Sequence, residues 1–481
     1  MMQNIFYEDA FAIKKKILFF VLMVAIVAGW IIASNGLAIS IVLLLFPCII
    51  VFGIMVLVNP RIGFISTIIY PFIIDTIGKH IDGLQVGLGV EALLVLTWVG
   101  VLFNNTGRYK LRYLNTDLVW TFIIWFLITF IELFNPEKPD AMGWLLEMRA
   151  IALYQILCIP LGLLLFNKKK DLDLFIAILL SLSSVVALYG IKQFFIGPDA
   201  AEMRWLEAGG KVTHIIFGKL RIFSMYSEAA QFGAAMANVA IISLILALGQ
   251  GDLFKKLLYI SISVLTFYAM VISGTRTAIF VFICGGMVYL ILSKNIRILI
   301  AGSITGLAFI GILKFTSIGN GYSDISRLRT SFDPTDPSFL TRLNNQLILK
   351  EILSTKPIGA GVGVIGAFGM LYNADKYIST IQPDSLFVKI WAMYGIVGLS
   401  IWMGIMTYLI GKSIGIIWST RDPILKNKLT ALAAGAAGIF LCSYGNEIIN
   451  QMPSLMIVYV SWVLIWLSPR WDSINLKPNN L

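Results

Sequence analysis

Two arginines, Arg221 and Arg276, have surroundings suited to binding a phosphate group. Arg221 directly precedes Ile222-Phe223-Ser224, and Arg276 lies within Ser273-Gly274-Thr275-Arg276-Thr277. A guanidinium donates two parallel hydrogen bonds to a phosphate, and the small polar neighbours of Arg276 would not shield it from one. At a membrane surface the two arginines suit a diphosphate attached to a lipid. The alternative is that each reaches toward lipid headgroups without binding a substrate.

Carboxylates form the second group of residues that could do chemistry. Glu228 and Asp384 each stand where a polar segment meets an apolar run. A carboxylate at such a place is either a charge at a helix N-terminus or a base that faces the site. We take Asp384 and Glu228 as the candidate catalytic residues. The other carboxylates predicted on the same side of the membrane are Asp75, Asp82, Glu147 and Glu447.

A few further residues are weaker candidates for binding a glycan or its phosphates. They are His214, Arg327, Arg342 and Glu447, the last within the polar run Asn446 to Gln451. The chain has only two histidines and no Cys-x-x-Cys or His-Glu-x-x-His motif. The sequence therefore predicts no metal site and no cofactor.

The composition indicates whether these residues belong to a soluble protein or to a membrane protein. Of 481 residues, 58% are hydrophobic and only 13% are charged, about half the charged fraction of a soluble protein. Apolar stretches recur along most of the chain, which predicts an integral membrane protein. The net charge of +11 is spread between these stretches, whereas a nucleic-acid-binding protein would concentrate it on a soluble basic face, so no nucleic-acid partner is expected.

The apolar stretches predict an all-α polytopic protein with about 14 transmembrane helices, within a range of 12 to 14. Each stretch is near twenty residues long and lacks the alternation of an outer-membrane β-strand. The predicted spans are 17–34, 37–58, 62–78, 86–103, 117–134, 150–166, 173–195, 228–249, 257–272, 277–293, 298–316, 385–411, 428–446 and 452–468.

The distribution of lysine and arginine predicts the orientation of the bundle. One side carries 20 of the 37 basic residues, whereas the short loops of the other side hold only Lys79, Lys138, Arg149 and Arg276. Because basic residues resist translocation, both termini are expected in the cytoplasm of a multi-pass protein of the bacterial inner membrane. Arg221, Arg276 and the candidate carboxylates then face the periplasm or exterior.

The sequence predicts three parts, the central one of which contains two long outward loops, 192–227 and 317–384. Residues 1–190 form N-terminal spans, 191–411 form a core that contains both loops, and 412–481 form C-terminal spans with a short cytoplasmic tail. Long loops are commonly functional. The pattern from 338 to 354 predicts an amphipathic helix, with Ser338 as its N-cap, that lies along the outer membrane surface.

Two other features have competing interpretations. Gly361, Gly363 and Gly366 match the GxGxxG pattern of dinucleotide-binding proteins, but no strand precedes them, and a glycine turn packed closely on the bundle is the favoured interpretation. Glu91 lies inside a predicted span. It should face the bundle, either as the partner of an arginine or as part of a polar path.

The region from about 190 to 410 resembles the O-antigen ligase and Wzy-type polymerase superfamily of membrane glycosyltransferases. The resemblance depends on the order and membrane side of four motifs: Arg221-Ile222-Phe223-Ser224 with Gln231-Phe232-Gly233, Ser273-Gly274-Thr275-Arg276, Pro357-Ile358-Gly359-Ala360-Gly361, and Asp384 to Gly398. It implies a GT-C-like bundle that uses an undecaprenyl-diphosphate-linked glycan as donor on the outer membrane face, without metal. It also assigns diphosphate binding to Arg221 and Arg276.

The resemblance leaves polymerase and ligase as alternatives. Ligases of this superfamily often have a histidine, frequently followed by asparagine, where this chain has Asp384-Ser385. This difference favours a polymerase of surface-polysaccharide repeat units, with inverting transfer from the lipid-linked donor to a glycan acceptor. A ligase would transfer a finished glycan to lipid A core or to protein. A lipid-linked oligosaccharide flippase or a small-solute transporter is the non-enzyme alternative. Expected partners are membrane lipids and a chain-length regulator and flippase of the same pathway.

Overall fold

The computed structural model describes residues 46–81, 86–104, 109–216, 218–317 and 335–474, with isolated residues in 22–33 and 326–329. Most of the predicted span 17–34 therefore lies outside the described residues. The described α-helices are α1 (Phe46–Val58), α2 (Pro60–Ile69), α3 (Ile74–His80), α4 (Leu88–Phe103), α5 (Asp117–Ile131), α6 (Ala141–Met148), α7 (Tyr154–Leu165), α8 (Lys169–Phe195), α9 (Ala200–Trp205), α10 (Lys211–His214), α11 (Ala229–Leu248), α12 (Leu253–Ile272), α13 (Ala278–Leu292), α14 (Ile296–Phe315), α15 (Pro337–Leu353), α16 (Gly366–Tyr372), α17 (Leu386–Ser419), α18 (Pro423–Cys442) and α19 (Ser454–Ile474).

Short irregular helices and one small hairpin connect these elements. The π-helical turns are Arg149–Leu153 and Leu206–Gly210, and the 3₁₀ turns are Tyr70–Phe72, Leu111–Leu114, Glu132–Phe134 and Tyr377–Thr380. Strands β1 (Ile215–Ile216) and β2 (Lys219–Leu220) pair antiparallel within the first outward loop. The described chain is thus almost entirely helical, as the sequence predicts.

Eight of the described helices are long and apolar enough to cross a membrane, and a bent pair formed by Pro60–Phe72 and Ile74–His80 would be a ninth span. Each of the eight overlaps one predicted span, which confirms a multi-pass helical membrane protein. Four shorter apolar helices occupy other predicted spans, namely Phe46–Val58, Leu88–Phe103, Ala278–Leu292 and Ile296–Ile312. The total of fourteen spans stays a prediction.

Small residues allow the central helices to approach one another closely. α11 is buried along most of its length and packs against α12, α13 and α18. A Cβ atom on Gly233 of α11 would lie 2.4 Å from Ser273 Oγ, and one on Gly438 of α18 would lie 2.6 Å from the carbonyl oxygen of Val281 in α13. In lipid, where the hydrophobic effect does not drive helix association, such close packing is the main attractive contact.

α17 is broken at Gly395, where φ is 65° and ψ is −169°. The break leaves carbonyl groups of α17 without helical hydrogen-bond donors. Two backbone N–H groups of the glycine segment, residues 357–366, donate to these carbonyl groups instead. Ala360 N donates to Ala392 O at 2.9 Å, and Gly361 N donates to Met393 O at 3.0 Å. Such replacement is necessary at membrane depth.

The favoured interpretation of the GxGxxG pattern is confirmed, because the segment is a tightly packed turn. Added Cβ atoms on Gly361 and Gly363 would lie 2.8 Å from Pro139 and 2.4 Å from the backbone of Gly143. Of the two interpretations of Glu91, the partner of an arginine is confirmed, since its carboxylate pairs with Arg149.

Ion pairs at one end of the bundle connect residues that the sequence assigns to the cytoplasmic side. The pairs are Arg61 with Asp171, Lys169 with Asp422, Lys412 with Asp117, and Lys428 with Asp173. They join helices that are distant in the chain, and their grouping is consistent with the predicted sidedness.

The predicted amphipathic helix is α15, but its predicted N-cap is wrong. The helix begins at Pro337, and Asp336 is the capping residue, because its Oδ1 accepts from Phe339 N at 3.2 Å. Proline is favoured at the first helical position because an N–H there would have no intrahelical partner. The cap therefore lies two residues before the predicted Ser338. Contact of α15 with the membrane surface stays a prediction.

Substituting Gly395 by alanine tests the importance of the break in α17. A Cβ atom there would lie 2.0 Å from Pro357 O, in a backbone conformation that L-residues rarely adopt. We expect Gly395→Ala to destabilise the protein by at least about 1–3 kcal/mol and to lower the Tm of the detergent-solubilised protein.

The matched control is Gly404→Ala on the same helix, where nothing lies within 4 Å of an added Cβ. This variant should keep the wild-type Tm or exceed it slightly. Equal Tm values for the two variants would contradict a structural requirement for glycine at 395.

Candidate functional site

The Arg276 turn, residues Ser273–Thr277, joins α12 to α13 and is held from both sides. Thr275 Oγ1 donates to the carbonyl oxygen of Ala229 at 2.9 Å, at the start of α11. Cys442 Sγ lies 2.9 Å from Thr277 O, and Asn446 Nδ2 donates to Thr277 Oγ1 at 3.3 Å. The turn therefore connects the start of α11 with the end of α18 and the segment that follows it, residues 443–453.

Arg221 reaches the same turn from the first outward loop. It follows β2, and its Nη2 donates to Thr275 Oγ1 at 3.1 Å. Burial, together with the positive charges of Arg327 and Arg276, lowers the pKa of Arg221 to about 10, whereas Glu228 opposes this shift. Two arginines from other parts of the chain thus act on Arg221, and an anion bound beside them would relieve this repulsion.

Arg276 forms an ion pair with Asp336, the N-cap of α15. Its Nη1 lies 2.5 Å from Asp336 Oδ2, and 28% of the arginine side chain is exposed. One oxygen of the carboxylate therefore caps the helix, and the other pairs with the arginine. This contact ties the second outward loop to the Arg276 turn.

Glu228 is the N-cap residue of α11, and the charge of Arg221 acts on its carboxylate. The side chain reaches solvent, but surrounding protein atoms desolvate its carboxylate and raise its pKa. A hydrogen bond with Gln451 and the charge of Arg221 oppose this shift, and the nearby carboxylate of Glu447 adds to it. A carboxylate with a raised pKa accepts a proton more readily near neutral pH.

The segment before Glu228 is fixed by α3. Lys79 Nζ donates to the carbonyl oxygen of Tyr226, and Asp75 Oδ2 accepts from Ser227 N at 2.9 Å. Lys79 is buried and its ammonium lies 4.1 Å from the ring centre of Phe223. The bent span thus positions the carboxylate at the start of α11.

Asp384 lies at the start of α17 in a left-handed backbone conformation, with φ of 48°. Its carboxylate pairs with Arg342 of α15, with 3.4 Å between Arg342 Nε and Asp384 Oδ2, and 44% of the aspartate side chain is exposed. The following Leu386 N donates to Ser443 O at 3.0 Å. Asp384 therefore lies two residues before the contact of α17 with the start of the 443–453 segment.

Glu447 is held by a residue that the sequence analysis did not select. Lys389 of α17 contacts both Glu447 oxygens at 2.9 Å and Glu147 Oε1 at 2.7 Å. Glu147 was named among the outward carboxylates but not chosen as a site residue. The signal for Lys389 was present, because a charge inside an apolar stretch such as 385–411 is a functional candidate by itself.

The two remaining candidates have different positions. His214 is buried between Trp205 and Phe223, and its Nδ1 and Nε2 each lie 3.0 Å from a backbone carbonyl, of Gly210 and Ser227. Burial lowers its pKa. This position favours a structural function, and glycan binding by His214 stays a prediction. Arg327 lies close enough to Arg221 to act on its charge.

Within the described ranges no three His, Cys, Asp or Glu side chains come together as a group that could hold a metal ion. The site instead has an arginine part, formed by Arg221, Arg276 and Arg327, and a carboxylate part, formed by Glu228 and Glu447 with Lys389. The arginines can bind an anion and the carboxylates can accept a proton.

Two comparisons with known proteins bear on this site. The O-antigen ligase family matches residues 261–403, a segment that contains Arg276, Asp384 and Lys389. The O-antigen polymerase of Salmonella muenchen is 26% identical over 297 residues, which make up 60% of this chain and 71% of that protein. The predicted resemblance to the O-antigen ligase and Wzy-type polymerase superfamily is confirmed. Arg221 and Glu228 precede the residues that match the family. Arg221 contacts the matched segment through Thr275, and the same threonine donates to the carbonyl oxygen of Ala229, directly after Glu228.

Thr275→Val tests whether the Arg276 turn depends on the threonine hydroxyl. Valine has nearly the same shape but loses the hydrogen bonds to Ala229 and Arg221. We expect a loss of about 1–3 kcal/mol, read as a lower Tm of the solubilised protein. Thr275→Ser keeps the hydroxyl and should lose less, so a serine variant that is as unstable as the valine variant would contradict this assignment.

Proposed function

We propose that this chain is a membrane glycosyltransferase that polymerises undecaprenyl-diphosphate-linked oligosaccharide repeat units on the outer face of the bacterial cytoplasmic membrane. The two comparisons support an O-antigen polymerase- or ligase-type function. The observation that carries the proposal is the meeting of Arg221 and Arg276 at one turn, through Thr275. Two guanidinium groups held together suit a diphosphate.

Transfer in this proposal is inverting and requires no metal. A hydroxyl oxygen of the acceptor glycan attacks the anomeric carbon of the lipid-linked donor, and the lipid diphosphate leaves. Arg221 and Arg276 stabilise the charge that develops on the leaving group, an effect on the order of 3 kcal/mol for one well-placed donor. Arg327 is a third cation near this position.

The position of each carboxylate distinguishes the two candidate bases. Glu228 lies near enough to Arg221 to feel its charge and has a raised pKa. The carboxylate of Asp384 already pairs with Arg342. We therefore assign proton transfer to Glu228, and binding of the acceptor glycan to Asp384 and Arg342. General base catalysis of this kind contributes about 100- to 10,000-fold.

The ligase function is a second candidate, because the family that matches residues 261–403 is described as O-antigen ligase. A ligase would use the same donor and the same arginines. The two functions differ in the acceptor, which is a second lipid-linked repeat unit for a polymerase and a lipid A core or protein for a ligase.

The decisive experiment incubates the purified protein with a lipid-linked repeat unit and separates the products on a gel. A ladder of products on the lipid diphosphate is the expected result. One shifted product that appears only with an added acceptor would identify a ligase. An unchanged donor would overturn glycosyl transfer and favour a flippase or transporter.

Arg276→Ala should remain in the membrane and lose chain extension by about two orders of magnitude, because one donor to the leaving diphosphate is removed. Arg297→Ala is the matched control, since Arg297 is exposed near the start of α14 and predicted on the cytoplasmic side. The control should form the wild-type ladder. Normal product lengths with Arg276→Ala would refute diphosphate binding by this residue.

Asp336→Asn separates the charge of Asp336 from its capping function, because asparagine is an equally good N-cap. In the structure Asp336 neutralises Arg276, so a donor diphosphate must compete with it. We expect the variant to lower the apparent KM for the lipid-linked donor by roughly two- to fivefold, the range of a partly exposed ion pair. An increased KM would indicate that Asp336 assists donor binding.

A further inference from the structure

Lys389 joins three parts of the chain that are far apart in sequence. It lies one turn into α17, is 6% exposed, and its Nζ contacts Glu147 of α6 and Glu447 of the 443–453 segment. A buried ammonium needs hydrogen-bonded counter-charges, and two carboxylates supply them. With both carboxylates ionised the cluster has a net charge of −1.

The two carboxylates differ in their access to solvent. The side chain of Glu147 is 3% exposed, and its Oε2 is buried with no hydrogen-bond partner among the described residues. The side chain of Glu447 is 27% exposed. Only Glu447 can therefore meet a substrate, and Glu147 holds Lys389 from the protein interior.

The Arg276 turn brings Glu447 close to Glu228, because Thr275 donates to the carbonyl oxygen of Ala229, directly after Glu228, and Asn446, directly before Glu447, donates to Thr277. The charge of Glu447 accordingly acts to raise the pKa of Glu228. The 443–453 segment contributes Glu447 and Gln451 to this neighbourhood, the first outward loop contributes Arg221, and α3 contributes Asp75, which interacts electrostatically with Glu228. Glu447 forms an ion pair with the buried Lys389, and the charge of the buried Lys79 acts on Asp75.

We propose that Lys389 is a positioning residue of the transfer site, which fixes the Glu447 carboxylate beside Glu228 so that the two carboxylates together bind and activate the acceptor sugar. This inference rests on the proposed glycosyl transfer. Glu447 accepts a hydrogen bond from one acceptor hydroxyl, and Glu228 accepts the proton of the reacting hydroxyl. The freed oxygen forms a bond to the anomeric carbon. The bond from that carbon to the diphosphate oxygen breaks, and its electron pair leaves with the diphosphate beside Arg221 and Arg276.

Lys389 has a second effect in this arrangement, because it compensates the charge of Glu447. Without the lysine, two or more uncompensated carboxylates would surround Glu228. Since like charges disfavour ionisation, Glu228 would then lose its proton only at higher pH. Removing the charge of Glu447 instead should allow Glu228 to lose its proton at lower pH.

The test measures the rate of chain extension against pH for Lys389→Met, with Lys389→Arg as the conservative variant. For Lys389→Met we expect the acidic limb of the profile to move up by about one pH unit and the rate near this limb to fall about tenfold. Donor affinity, measured as KM for the lipid-linked repeat unit at saturating acceptor, should change less than twofold. Lys389→Arg should restore the limb.

Lys412→Met is the matched control, because Lys412 lies on the same helix and pairs with Asp117 at the opposite end of the bundle. Its pH profile should equal that of the wild type. If the acidic limb of Lys389→Met does not move, whatever its rate of chain extension, the inference is overturned and Lys389 is a structural residue.

Glu447→Gln decides the question if Lys389→Met does not fold. The amide keeps the size of the side chain and leaves Lys389 paired with Glu147, so the acidic limb should move to lower pH. An unmoved limb, or one moved to higher pH, would overturn the inference. A wild-type protein that does not extend the donor would overturn the proposed function itself, which distinguishes that failure from a failure of the inference alone.

Discussion

The site depends on the hydrogen bonds that hold the Arg276 turn between two helices. Thr275 fixes the turn to the start of α11, and Thr277 fixes it to Cys442 and Asn446. At the edge of a membrane bundle these polar groups have few alternative partners, so each bond is strongly favoured. Because Arg221 also contacts Thr275, the same turn sets the positions of both arginines. The loops around the turn contribute Glu228 and Glu447.

A second constraint acts through the broken helix α17. The break at Gly395 is possible because the glycine segment supplies N–H groups to the carbonyls that the break leaves without partners. The part of α17 before the break contains Lys389, and the part after it continues toward Lys412 at the other end. Gly366, at the end of the glycine segment, is so near that an added Cβ would lie 3.6 Å from Lys389. The packing of the second outward loop and the position of the lysine are therefore linked.

The charges at this end of the bundle are arranged in a way that suits the proposed transfer. Arg221 and Arg276 meet at one turn, where a diphosphate would leave, and Lys389 holds Glu447, which would help to activate an acceptor. The partial desolvation that raises the pKa of Glu228 and lowers that of Arg221 strengthens each interaction with a substrate. The ion pairs of Arg276 with Asp336 and of Arg342 with Asp384 connect α15 to both parts.

Length, apolarity and the distribution of basic residues are local properties, so the amino-acid sequence was enough to predict the helical membrane class, the places of most spans and the types of residue at their boundaries. It also indicated Arg221, Arg276, Glu228 and Asp384 one by one. Which of these residues meet depends on how the helices pack. Lys389, Glu147 and Glu447 come from parts of the chain up to 300 residues apart, and no local pattern records such a contact. The capping of α15 by Asp336 is local, whereas the ion pair of Asp336 with Arg276 joins residues that are distant in the chain. Ion pairing is a property of distance in space, and that distance is fixed by helix packing and by the broken backbone of α17.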